Sequence, residues 1–223
     1  ERSFRRKRDD DLALLSAKPG IGNTGIKLPA GVLSGQRVML LLERLTQPVG
    51  FETDFDRLPI PYRAVATDLN TGQAVVIGEG NLAQAMRASL SIPGVFKPVV
   101  VGERVLVDGG LANQLPVDVV RAMGADIVIA VDVGTPLAKL DESAGLLQII
   151  DQISGFMTVG GTEAQVRTLG PADVLVRPAL GADVGTADFD KFEQALRIGE
   201  SGLDPVRPRL ARLGLDAATH QAH

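Results

Sequence analysis

A chain of 223 residues is long enough for one domain with a sizeable core. Hydrophobic residues make up 45% and charged residues 22%, the balance of a folded globular protein rather than a disordered or fibrous one. The net charge of −4 gives no overall positive field to draw nucleic acid, and the absence of cysteine excludes disulfides, thiol catalysis and cysteine-based zinc sites together.

No apolar run reaches the length of about 18 residues that a membrane span needs, and the charged start at Glu1 is not that of a signal peptide. Membrane contact, if any, is then peripheral or made by sequence outside these residues. The compartment is left open, because a cysteine-free chain suits cytosol and periplasm alike. The basic cluster Arg2, Arg5, Arg6, Lys7 and Arg8 is followed at once by Asp9, Asp10 and Asp11, which blunt its potential within a Debye length. It reads as a solvated, self-paired segment, with an anionic-lipid contact as the second reading.

Strand-like and helix-like patterns alternate along the chain, which predicts an α/β layer architecture. A loop rich in Gly and Pro (Pro19 to Gly31) leads to Ser34, read as the N-cap of a helix carrying Val38, Leu41, Leu42 and Leu45 and ending before Pro48. Ile60 to Leu69 reads as a buried strand, followed after Asn70-Thr71-Gly72 by a second at Ala74 to Ile77. Asn81 caps a predicted helix over Leu82 to Leu90, stopped at Pro93. Val99 to Val107 reads as a hairpin turning at Gly102-Glu103 in type II′ geometry. Pro116 suits a helix start and Gly124 its end, while Asp126 to Val133 has the continuous apolar character of a strand covered on both faces. Leu146, Ile149, Ile150, Ile153, Phe156 and Met157 fall at helical spacing, predicting a core-facing stripe, with a mobile lid as the minority reading. A strand at Val174 to Val176 and a helix from Phe189 to Leu213, broken near Pro205 and Pro208, complete the pattern.

None of the serines carries the Gly-x-Ser-x-Gly of a nucleophile elbow, where small neighbours allow a sharp strand-to-helix turn. Ser34 and Ser201 each have a glycine at the wrong offset, and Ser89 and Ser91 are read as hydrogen-bonding to backbone. The only histidines, His220 and His223, lie in a C-terminal tail unsuited to hold a general base and are assigned no role. The hairpin delivers Asp108 at a strand end, followed by Gly109 and Gly110. A carboxylate before two glycines at the end of a buried strand lies at a sheet rim with bendable backbone, where α/β proteins often place a catalytic group. On its own residues, Asp108 divides evenly between that role and a turn former, since Asp-Gly is a common turn dipeptide. Asp68 and Asp132 also end strands and are read as turn or cap residues. Arg87 is read as the partner of a carboxylate near Asp108, with a lipid phosphate as the alternative.

The stretch from Arg87 to Val117, RASLSIPGVFKPVVVGERVLVDGGLANQLPV, resembles the patatin-like phospholipases, lipid acyl hydrolases whose second signature is Asp-Gly-Gly or Asp-Gly-Ala after an Arg-Ala-Ser…Ile-Pro…Phe segment. The resemblance covers most of the chain, from Phe4 to Leu213. It implies a three-layer α/β fold with a mainly parallel central sheet, here N-terminally incomplete, with residues 1–223 forming one domain. It also implies a serine–aspartate dyad in which Asp108 is the base, partly desolvated and followed by the small residues Gly109 and Gly110. Arg87, Ala88, Ser89, Ile92, Pro93 and Phe96 match the preceding segment; Asn113, Leu115 and Pro116 match the following one. No metal or cofactor is implied, and the substrate is a phospholipid or related lipid met by a bacterial enzyme that is cytoplasmic, membrane-associated or secreted. The serine and oxyanion loop are expected upstream of Glu1, leaving this chain inactive alone and prone to aggregate or form a homodimer through uncovered apolar surface. The competing reading is a non-catalytic lipid-binding or regulatory module of the same fold.

Overall fold

The computed structural model describes residues 20–22, 25–27, 35–134, 145–181, 184 and 191–214. They fall into two compact units, Glu1–Gln114 with Leu140–Thr158, and Leu115–Lys139 with Val159–His223.

The first unit opens on a short antiparallel pair, β1 (Gly20–Gly22) and β2 (Gly25–Lys27), and helix α1 (Gln36–Thr46). Its centre is a four-stranded sheet of β3 (Ala64–Asp68), β4 (Ala74–Ile77), β5 (Val99–Val101) and β6 (Arg104–Asp108), in the order β4-β3-β6-β5. Helix α2 (Leu82–Ser89) packs on β3 and β6. Two tight turns account for the hairpins. Gly72 takes φ +70° after Asp68, whose carboxylate accepts the Asn70 N–H at 3.0 Å. Gly102 takes φ +60° while Glu103 does not enter positive φ, as a type II′ turn requires, and Val101 pairs Arg104.

Asn81 caps α2 through its side-chain oxygen, which accepts the Gln84 N–H at 2.8 Å. The helix buries Ala83, Ala85 and Ala88, small side chains that allow its backbone close to the sheet. Ala66, Ala88 and Leu106 form one cluster with Val75, Ile77 and Val99, and Phe55, Leu58, Ala64 and Ala85 form a second. All five residues of β3 are buried, and Asp108, the last residue of β6, pairs with Ala66 in the middle of that strand.

The second unit contains α4 (Val117–Ala122), preceded at the end of the first unit by the single turn α3 (Gly110–Asn113). Strands β7 (Ile129–Val131) and β8 (Val174–Val176) pair in parallel, and α6 (Phe192–Gly202) and α7 (Arg207–Leu213) follow, separated at 203–206 where Pro205 interrupts. The unit boundary falls within α5 (Leu146–Val166). Leu115, Val117, Val128 and Ala130 form the core, with Ala125, Val166, Leu169 and Leu175 against them. Among the described residues no helix is long and apolar enough to cross a membrane.

The architecture is α/β, and parallel pairing is found between β7 and β8; the four-stranded sheet is antiparallel throughout, two hairpins, β3–β4 and β5–β6, pairing through β3 and β6. Four local expectations need correction. The N-cap position of α1 is held by Gly35 at φ +65°, one residue past Ser34, which lies outside the described residues. The strand expected from Ile60 begins at Ala64; Ile60 is 81% exposed and Pro61 has no N–H for a ladder. The segment expected to be covered on both faces is covered on one: Val128 and Ala130 are buried, while Ile127, Ile129, Val131 and Val133 are exposed. In α5, Ile149, Ile153, Phe156 and Met157 are exposed too, so these members of the stripe do not face a core. The basic N-terminal cluster, His220 and His223 lie outside the described residues.

Candidate active site

Strand β6 ends on Asp108, and every peptide group around the carboxylate is tied down. The Asp108 N–H donates to the Ser91 carbonyl at 3.0 Å, and the Gly109 N–H donates to the Ser89 carbonyl at 3.3 Å. From the other side the Thr67 hydroxyl donates to the Asp108 carbonyl at 2.8 Å. The Asp108 carboxylate accepts the Gly110 N–H at 2.7 Å, the only donor it has among the described residues. Burial pushes the Asp108 carboxyl above the usual carboxylate range, and the Gly110 N–H pulls the other way with the smaller effect.

The two glycines are required for different reasons. A side chain at position 109 would strike the Val65 carbonyl, fixed backbone in the adjoining strand β3. At position 110 it would meet the end of the Gln114 side chain and approach Asp108 Oδ1 at 3.1 Å. Gly109 therefore lets the chain turn out of β6 against β3, and Gly110 leaves room beside the carboxylate.

Ser89 ends α2 and contributes its carbonyl, and Pro93 lies in the turn that follows, where the Ile92 carbonyl accepts the Val95 and Phe96 N–H groups. Arg87 is 5% exposed and pairs with no carboxylate among the described residues, contrary to the expected ion pair. Its Nη1 donates to Ser91 Oγ at 2.6 Å, its Nη2 donates to the Lys97 carbonyl at 3.2 Å, and its guanidinium lies 4.7 Å from the centre of the Phe96 ring. An aromatic face and neutral oxygens take the place of the anion. Thr67 was not among the residues expected at the site. The signal was there, since a hydroxyl inside the buried run AVATD must find a partner.

Asp68 closes its turn, as read; Asp132 accepts the Gly134 N–H at 3.1 Å as a turn residue and in addition pairs with Arg177, 45 residues on, at 2.9 Å. A cleft of about 180 Å³ in the second unit, lined by Ile127, Ala172, Val174, Arg209 and Leu213 among others, holds none of the predicted site residues. Among the described residues no three His, Cys, Asp or Glu side chains are grouped to hold a metal ion.

Residues 3–121, more than half of the sequence and inclusive of the whole Asp108 loop, match the family described as patatin-like phospholipase. The chain belongs to the patatin-like phospholipase family. It is similar to an uncharacterized NTE family protein of Mycobacterium tuberculosis, 42% identical over 102 residues that make up 46% of this chain and 27% of that protein. It is 32% identical over 176 residues to patatin-like phospholipase domain-containing protein 7 of Mus musculus, covering 66% of this chain and 13% of the mouse protein. A putative patatin-like phospholipase domain-containing protein of Caenorhabditis elegans is 28% identical over 197 residues, 76% of this patatin-like chain and 17% of its own length. The chain thus spans about a quarter or less of the length of these relatives.

Proposed function

We propose that this chain supplies the general base of a serine–aspartate acyl hydrolase acting on ester bonds of phospholipids or related acyl lipids. The observation that supports this reading most is the state of Asp108: a half-buried carboxylate at a strand end, held among the described residues by one N–H and no cation, and made more basic by burial. One accepted bond leaves the other carboxylate lone pairs open to a hydroxyl donor. The lipid class follows from family membership and from the phospholipase descriptions of the relatives.

In this reading the serine comes from a segment outside these 223 residues, since none of the serines here has the elbow pattern. Asp108 takes the serine hydroxyl proton as the oxygen bonds to the ester carbonyl carbon. The tetrahedral intermediate collapses, the bond to the alcohol breaks, and the leaving oxygen takes the proton from Asp108. Water then attacks the acyl-serine, giving a proton to Asp108 that returns to the serine as the fatty acid leaves. The chain alone is accordingly inactive. The test is Asp108→Asn in the full-length protein on a short-chain ester: kcat falls while KM holds, because the amide keeps the shape and cannot take the proton. Near-full turnover by the variant would overturn the reading.

A further inference from the structure

Arg87 and Ser91 form a closed unit with an outlet at Asp108. Ser91 is fully buried, and its hydroxyl accepts from Arg87 Nη1 at 2.6 Å while donating to the Arg87 carbonyl at 2.8 Å, so both hydrogen-bonding roles of that oxygen are fixed by one residue. The same guanidinium reaches the Lys97 carbonyl and stacks on Phe96, folding the turn from residue 91 to 97 around itself. Gly35 closes the remaining side, where any side chain would run into the guanidinium. The turn so fixed presents the Ser91 carbonyl to the Asp108 N–H. Removing an ion from water without an opposite charge is costly, and burial accordingly pulls the Arg87 pKa down. A neutral side chain would fill the space at lower cost. What the guanidinium offers is a planar fork that makes two divergent bonds and a stacked contact at once.

We propose that Arg87 is a positioning residue: acting through Ser91, it fixes the backbone at Asp108 and so the direction in which that carboxylate meets a proton donor. This rests on the reading of Asp108 as the base. Lysine keeps the charge but has no fork, so it does not replace arginine here.

The test uses the full-length protein with Arg87→Lys, Ser91→Ala and, as a control on the reading itself, Asp108→Asn. Arg87→Lys and Ser91→Ala are expected to lower kcat on a short-chain ester by about 100-fold, the scale set by misplacing a reacting group by about 1 Å, with KM within about twofold. Loosening hydrates the carboxylate, so the acid limb of kcat/KM moves to lower pH. Amide exchange separates positioning from general weakening: the Asp108 and Gly109 amides lose protection, while those of Phe55 and Asp68, bonded elsewhere in the same unit, keep theirs. Equal loss at all four amides, or wild-type turnover by Arg87→Lys or Ser91→Ala when Asp108→Asn is inactive, overturns the proposal and leaves the base in place. Full turnover by Asp108→Asn defeats the reading of the base, and the exchange pattern then still decides whether Arg87 fixes the loop. If Arg87→Lys does not fold, Ser91→Ala, smaller by one oxygen, decides by the same criteria.

Discussion

Asp108 in the first unit and Asp173 in the second are both carboxylates withdrawn from water, yet their surroundings are opposite. Asp173 accepts the Val128 N–H at 2.8 Å, the Gly170 N–H at 2.6 Å and Arg121 Nη2 at 2.5 Å, and Arg209 further secures its carbonyl at 2.6 Å. Those N–H bonds, with Arg121 adding to them, outweigh burial and hold the Asp173 carboxyl below the ordinary range. Among the described residues Asp108 has one N–H and no cation, and burial prevails. Desolvation is common to both; the count of donors decides whether the result is a fixed anion or a group ready to take a proton.

The same contrast gives opposite dependences on pH. Asp173, depressed in the folded state, contributes stability that is present above its unfolded pKa of about 3.9 and is lost as pH falls through the folded value. Asp108, raised in the folded state, opposes folding when ionised, and that opposition fades as pH falls through its folded value.

The largest effect that would break this comparison concerns activity. Asp108→Asn should lower kcat of the full-length protein by about 1,000-fold, within the span of general-base contributions, with a melting temperature equal to or above the parent's. Asp173→Ala should do the reverse in a thermal melt, lowering the transition clearly because buried N–H groups and a guanidinium lose their acceptor. A melting temperature lowered as much by Asp108→Asn would make the two aspartates alike. A third contrast lies inside the loop. Gly109→Ala sets Cβ against fixed backbone and should cost about 3 kcal/mol in denaturant unfolding. Gly110→Ala meets a side chain that can swing aside, so about 1 kcal/mol or less is expected, with its main effect on kcat through the crowded carboxylate. Reversal of that order would mean the turn out of β6 is not held against Val65.

What the sequence made legible was chemistry settled within a few residues. Asn81 as a cap, Gly102 at a hairpin, the interruption at Pro205 and Asp108 at the end of a strand each follow from one residue and the backbone next to it. What it hid was decided by packing rather than by the local backbone. Periodicity gave the α5 helix but not which side of its stripe is covered, and an apolar run gave β7 but not the exposure of Ile127, Ile129 and Val131. The charge of Arg87 pointed to a carboxylate, whereas packing supplied Phe96, Ser91 and a carbonyl instead. That Thr67 needs a partner was legible, but which one was not, since the Asp108 carbonyl lies 41 residues away.

The measurement that bears most directly on the central claim is titration of the two side-chain carboxyl carbons by NMR in the folded chain. Asp108 is expected to take up its proton above the ordinary aspartate value of about 3.9 and Asp173 below it. Titration of Asp108 at or below that value would show a carboxylate held as an anion like Asp173, and would contradict its reading as the base.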